Sequence, residues 1–350
     1  MKRLPVALLV LPLLTAACGG RAGDPGATSG DPEVIAAFYP LAFAAGEVAG
    51  EHATVTNLSP PGVEPHDLEL APDQVRTLSD ADLVVYLGQG FQPAVEDLVG
   101  QLDDTPALDG LAGQDDADED HGDEDHGDED HGDEDDDHGD EEEHSDEEEH
   151  SDEEEHSDED HSDEEESTEE GHDHELEAGA TDPHVWLDPT LLAAIGDAVA
   201  DQLSEIDPDN ADSYRANAET LGEELDALDD DYDAALEDCE RRELVVSHEA
   251  FGYLTDRYDL EQVGVSGLDP ETEPSPGRVA EVAEYAEDNG VTTIFFEEQV
   301  SPDIAEVIAS EIEADTEVLD PLEFPPDEGN DYLDVMRNNL DAITAALGCT

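Results

Sequence analysis

Apolar residues in this chain come in short runs, separated by stretches in which they recur at helical spacing. Glu33–Tyr39 (E-V-I-A-A-F-Y) predicts a strand that stops at Pro40. Leu41–Gly50 reads as a helix, with Gly50 as its end. Ala53–Leu58, rich in Val and Thr, predicts a second strand. Ser59-Pro60-Pro61-Gly62 predicts a loop that delivers Glu64-Pro65-His66-Asp67. Pro72 opens a helix to Leu78. Asp82–Leu87 is a third strand, and Pro93–Leu102 is helical by spacing.

The pattern resumes after Thr181-Asp182-Pro183-His184-Val185-Trp186-Leu187-Asp188-Pro189, whose two Asp-Pro steps favour turns. Leu191–Ile206 is an amphipathic helix, broken by Asp207-Pro208-Asp209-Asn210. A second helix runs from Ala211 to about Glu237, with Leu221, Leu225, Leu228, Tyr232 and Leu236 on one stripe. It would be ~40 Å long, enough to run between two lobes. Strands Glu243–Ser247, Gln262–Ser266, Val291–Phe296 and Thr316–Leu319 follow. They alternate with helices Ala250–Tyr258, Ser275–Asn289, Ser301–Ile312 and Tyr332–Leu347. Such alternation predicts an α/β protein, with mainly parallel sheets covered by helices.

The pattern fails in one place. Residues 115–175 are nearly all Asp, Glu and His, with no Lys or Arg. The histidines are His121, His126, His131, His138, His144, His150, His156, His161, His172 and His174. This low-complexity repeat has almost nothing apolar to bury, so a disordered insert in the first lobe is expected. Imidazole with carboxylate is also a ligand set for first-row metals. Ordering flexible chain around an ion costs entropy, and surrounding carboxylates raise histidine pKa values, so any binding there is weak and exchangeable. A collector or level sensor for metal is one use of such a tract. An acidic loop tolerated in salt is the other.

The whole chain of 350 residues carries a formal charge of −92, with 102 Asp and Glu against 10 Lys and Arg. Nothing here can neutralise phosphates, which argues against nucleic acid. Cations are the natural partners. A surface almost free of Lys also fits a high-salt milieu, where screening weakens self-repulsion.

The N-terminus predicts export. Lys2 and Arg3 precede the apolar Leu4–Leu14, so residues 1–17 read as a signal peptide. Thr15-Ala16-Ala17-Cys18 resembles a bacterial lipobox, with Thr15 where Leu is usual. Lipidation of Cys18 is therefore expected, with residues 18–32 as tether; an ordinary cleaved signal is the alternative. Of three Cys, Cys239 and Cys349 then remain, and an exported chain permits a disulfide between them. Two buried thiols are the other possibility.

Outside the tract there are four histidines. His52 sits beside Glu51 ahead of a strand and is expected to be merely exposed. His66, His184 and His248 lie in loops or at strand ends, near Asp, Glu or Pro, and Asp320 directly follows T-E-V-L. Ligands of open parallel sheets bind beyond the carboxyl ends of strands. Two such lobes face to face would gather three imidazoles and one carboxylate, which suits tetrahedral Zn²⁺.

Four motifs in order, P-P-G-V-E-P-H-D at 60–67, D-P-H-V-W-L-D-P at 182–189, V-V-S-H-E-A-F-G-Y at 245–253 and V-L-D-P-L at 318–322, carry a family resemblance. The chain closely resembles the zinc/manganese class of solute-binding proteins of bacterial ABC transporters, over nearly all of residues 33–349. The resemblance implies two Rossmann-like lobes, 33–206 and 239–350, joined by one long rigid helix within 207–238. It implies one metal ion between them, with ligands His66, His184, His248 and Asp320. A His- and acid-rich insert and a bridge matching Cys239–Cys349 also recur in zinc-type members.

Manganese-type members tend to place Glu where His248 stands, so zinc is expected over manganese, with Glu249 as the feature that leaves manganese open. The expected function is capture of Zn²⁺ outside the cytoplasmic membrane and delivery to a membrane permease, by a monomer anchored through Cys18. Four protein ligands leave no open position for catalysis. An exported zinc hydrolase would need a motif such as H-E-x-x-H, which is absent from the sequence. A surface zinc buffer or adhesin working through the tract is the third possibility.

Overall fold

In the computed structural model, residues 30–60, 62–102, 105–112, 181–270, 272–297, 302–326 and 329–350 are described. The expected signal peptide, Cys18 and the acidic His tract lie outside them. The first lobe runs β1 (Glu33–Ala36), α1 (Tyr39–Ala49), β2 (Thr54–Asn57), α2 (Pro72–Asp80), β3 (Leu83–Tyr86), α3 (Pro93–Val99) and β4 (Ala107–Asp109). One 3-10 turn (Val185–Leu187) leads into α4 (Pro189–Ile206), and α5 (Ala211–Leu236) follows. The second lobe runs β5 (Glu243–Val246), α6 (Gly252–Arg257), β6 (Glu261–Gly264), α7 (Pro276–Asp288), β7 (Thr293–Phe296), α8 (Asp303–Ile312), β8 (Asp315–Val318) and α9 (Tyr332–Leu347).

Each lobe holds a four-stranded sheet with every pairing parallel, ordered β2-β1-β3-β4 and β6-β5-β7-β8. The two orders are the same, and in each the chain reverses direction across the sheet beside its first strand. That reversal opens a crevice at the carboxyl ends of the strands. Helices α1, α2, α3, α4 and α7 carry Pro in their first turn, where the missing N–H costs nothing. Asp188 caps α4 by accepting from Thr190 and Leu191 amides, and Ser275 caps α7 through the Arg278 amide.

Several elements depart from the sequence expectation: β1 ends at Ala36 rather than Tyr39, and α1 begins at Tyr39 because Pro40 fits a helix's first turn. Strand β4 has only three residues, too short to show a pattern. Helix α3 stops at Val99 because Gly100 follows. Helix α6 begins at Gly252 rather than Ala250, because the preceding backbone is already engaged. The Glu249 amide donates to Gly267 O, the Ala250 amide to His248 O, and the Phe251 amide to Gln262 Oε1.

Helix α5, with 26 residues, belongs to both lobes. Its buried stripe is Tyr214, Ala218, Leu221, Leu225, Leu228, Tyr232 and Leu236. Near its start, Tyr214 and Asn217 donate to His52 O and Val48 O in the first lobe, at 3.1 and 3.0 Å. Near its end, Tyr232 donates to Met336 O at 2.7 Å, and Asp229 accepts from Arg257 and Tyr258. A disulfide joins Cys239, just past α5, to Cys349, just past α9. One apolar core runs from the first sheet through α4, α5 and α9 to one face of the second sheet. The opposite face of that sheet, with Val245, Val263 and Ile294, packs separately on α7 and α8.

Candidate metal centre

The crevice of each lobe opens toward the other. His66 stands on the loop after β2, His184 just before the 3-10 turn, His248 just after β5, and Glu323 on the segment after β8. Their ligand atoms all lie within 4.8 Å of one another. Glu323 Oε1 is 3.4 Å from His66 Nε2, 3.3 Å from His184 Nε2 and 3.4 Å from His248 Nε2, and the last two nitrogens are 3.4 Å apart. Four donors bound tetrahedrally to one Zn²⁺ at ~2.0–2.1 Å would stand about 3.3 Å apart. His66 Nε2 and Glu323 Oε2 are buried with no hydrogen-bond partner, as expected of atoms facing a cation.

The imidazoles are aimed by their other nitrogens. His184 Nδ1 lies 2.7 Å from Asp182 Oδ1, and His248 Nδ1 lies 2.6 Å from Glu297 Oε1. Each carboxylate holds the proton on Nδ1 and turns the Nε2 lone pair inward. Ser247 Oγ also donates to Glu297 Oε1. Gly252 leaves room for Asp182, since a Cβ there would collide with its carboxylate. Phe91 stands edge-on to His66, and Trp186 lies beside His184, so the inner wall is aromatic.

Electrostatics follow from this packing. Burial alone would raise the Glu323 carboxyl, but His184 and His248 hydrogen-bonded to it, with the His66 ring 3.4 Å away, hold it well below the usual carboxylate range. Burial alone would lower His248, but Glu297 and then Glu323 push it up to about 10. His184 is raised in the same way by Asp182 and Glu323, against its own burial. Glu64, beside Glu323, is pushed up to about 9 by burial first and by the Glu323 charge second. The raised His184 and His248 offset the carboxylate charge that an ion would otherwise balance.

Two sequence expectations change. Asp320 is not among the converging donors. Its Oδ1 accepts from the Leu322 amide at 2.8 Å, and Glu323, three residues on, takes the carboxylate corner. His52 is half-buried rather than exposed, with its ring against Tyr214 and away from the cluster. Glu249 is turned toward Arg278, with 3.9 Å between Oε1 and Nη2, so it offers the site nothing.

The model of the family described as zinc-uptake complex component A, periplasmic, matches residues 34–346. The chain belongs to this periplasmic zinc-uptake family. The high-affinity zinc uptake system protein ZnuA of Bacillus subtilis (strain 168) is 33% identical over 349 residues, covering 96% of this chain and 94% of that protein. The zinc-binding lipoprotein AdcA of Streptococcus pneumoniae is 32% identical over 318 residues, covering 90% of this chain but 55% of AdcA. This chain therefore spans about half the length of that relative. Among solved structures, the Zn(II)-bound ZnuA-like domain of S. pneumoniae AdcA superposes with TM-score 0.66 at 28% identity, covering 91% of this chain and 99% of that domain. The laminin-binding protein Lmb of Streptococcus agalactiae gives TM-score 0.67 at 26% identity, with 90% and 99% covered.

In this member of the zinc-uptake family, Glu323, Glu297 and Asp182 escaped the sequence reading. Glu297 directly follows T-I-F-F, the same end-of-strand position that singled out His248 and Asp320. Glu323 is an acid flanked by Leu322 and Phe324, and an acid in an apolar run was the available signal.

Proposed function

We propose that this chain is a non-enzymatic carrier that captures Zn²⁺ between its lobes, outside the cytoplasmic membrane. It hands the ion to the permease of an ABC transporter for uptake. The observation that carries the proposal is the convergence of three Nε2 atoms and one carboxylate within 4.8 Å, with Glu323 3.3–3.4 Å from each imidazole. Three imidazoles favour zinc over manganese, which prefers more oxygen. The names of the relatives point the same way. Four protein donors close the shell, leaving no position at which bound water could react. Lipidation of Cys18 would keep the carrier at the membrane surface, as the lipoprotein name of AdcA suggests. Among the described residues, no helix is long and apolar enough to cross a membrane.

Metal analysis of the purified full chain tests this. One tight equivalent of zinc is expected, with or without residues 115–175. No tight zinc in the full chain, or its loss on deleting 115–175, would refute the inter-lobe site. A second role in adhesion has one observation behind it: Lmb is described as bifunctional, with adhesin and metal-transporting activity. Direct binding to immobilised laminin would decide that role.

A further inference from the structure

Glu323 lies on a segment with no helix or strand of its own, five residues past β8. Its carboxylate nevertheless meets three imidazoles from distant parts of the chain. We infer that Asp320 and Asn339 are positioning residues that fix the Glu323 carboxylate in advance, through the backbone of the Pro321–Leu322 turn. The inference rests on the proposed metal site and assigns roles that lie behind it.

Four hydrogen bonds hold the three residues before Glu323. Asn339, on α9 and 3% exposed, accepts from the Asp320 amide at 3.0 Å and donates from Nδ2 to Asp320 O at 2.7 Å. This amide therefore clasps both backbone polar groups of one residue. The Asp320 side chain turns the chain by accepting from the Leu322 amide. Across the lobe interface, Trp186 Nε1 donates to Pro321 O at 2.7 Å.

The turn is held against a local cost. Leu322 adopts φ 61, the left-handed region, with its side chain fully buried. For a residue other than Gly this costs roughly 1–2 kcal/mol and persists only where the surroundings fix it. The clasp and the buried Leu322 side chain supply that fixing, and the next residue is then delivered into the crevice. Trp186 is also two residues from His184, and Pro321 two from Glu323. One bond thus registers a ligand of each lobe against the other.

On this inference Asp320 acts on Glu323 through its acceptor oxygen. Substitution at this position separates a ligand from a positioning residue. Titrations of the full chain with Zn²⁺, and with Co²⁺ as a visible-absorption probe, should rank the variants. Asp320→Asn keeps the acceptor and should stay within about threefold of wild type. Asp320→Ser, with a weaker acceptor, should lose more. Asp320→Ala should lose roughly 10–100-fold, the range for residues that orient ligands. The Co²⁺ spectrum should keep its shape in all three, because the donors are unchanged, whereas Glu323→Gln should alter it.

An Asp320→Asn variant as impaired as Glu323→Ala, or with an altered Co²⁺ spectrum, would make Asp320 a ligand and overturn the inference. Wild-type affinity in Asp320→Ala would overturn it too. Should the Ala variant not fold, equal affinity of the Ser and Asn variants would do the same. A wild-type chain without tight zinc would overturn the proposed function, and this inference with it.

Discussion

The two lobes have the same sheet order and contribute two donors each, yet they hold those donors differently. The first lobe supplies His66 and His184 from irregular segments beyond its strands. The second supplies His248 from the end of β5 and Glu323 from the clasped turn. His66 is the most open of the four, with its side chain 14% exposed, while the other three are at most 1% exposed. Only the second lobe carries the disulfide. The comparison teaches that one corner of the candidate site faces solvent while the other three are enclosed. Within the first lobe only His66 lies on the side that solvent reaches; His184, held by Asp182, is as enclosed as the two donors of the second lobe.

The largest expected effect breaks the symmetry of stability. Replacing Cys239 and Cys349 by Ser opens a loop with a sequence separation of 110. On the chain-entropy model this should cost roughly 4–5 kcal/mol in denaturant unfolding. Hydrogen exchange should show β5–β8 and α9 losing protection before β1–β4. Equal loss in both lobes would mean that they unfold as one unit.

Next comes the ligand asymmetry. An apparent ~10–16 kcal/mol for a four-ligand zinc site gives about 3 kcal/mol per ligand, or on the order of 100-fold in affinity. His248→Ala should reach that loss in calorimetric titration. His66→Ala should lose about tenfold less, because water can reach its place in the shell. Equal losses would remove the distinction between the open corner and the enclosed ones.

The pH dependence sharpens the same point. Zinc needs neutral imidazole, and His248 in the metal-free protein is raised to about 10. At any pH below about 10, zinc must displace this proton. Affinity should therefore fall as pH falls, by up to about 1.4 kcal/mol per pH unit for each proton displaced. Titrations in buffers of different ionisation enthalpy should show proton release at neutral pH. For the metal-free protein the sign is opposite. A raised His248 contributes stability that is complete below pH 6.5 and is lost as pH rises through about 10. A metal-free chain that grew more stable over that interval would contradict the Glu297 and Glu323 contacts.

The smallest effect concerns a neighbour. Glu249→Gln, beside His248 but turned to Arg278, should change zinc affinity less than about twofold, within the usual reach of a surface substitution. A larger change would place this carboxylate nearer the ion than its contact with Arg278 allows.

Much of the architecture was legible because it depends on local chemistry. Period-two and period-3.6 patterns, Pro in first turns, and the Ser275 and Gly50 boundaries all act within a few residues. The stripe Leu221, Leu225, Leu228, Tyr232 and Leu236 gave the long helix and its buried face. Three histidines were legible because so few stand outside the tract, each among loop or strand-end residues. His52 was misjudged because its neighbour Tyr214 is 162 residues away. Strand β4 left no trace because three residues carry no periodicity.

What the sequence determined by itself is the α/β alternation, the three imidazoles and the chemistry they invite. What only the tertiary structure decided is which carboxylate completes them. Asp320 and Glu323 both follow the same strand, and nothing local ranks them. The choice falls to Glu323 because Asn339, 19 residues on, and Trp186, 135 residues back, hold the turn between them. Those contacts exist only once α9 and the first lobe are in place. They make a buried left-handed Leu322 stable, and with it the direction in which the next side chain points.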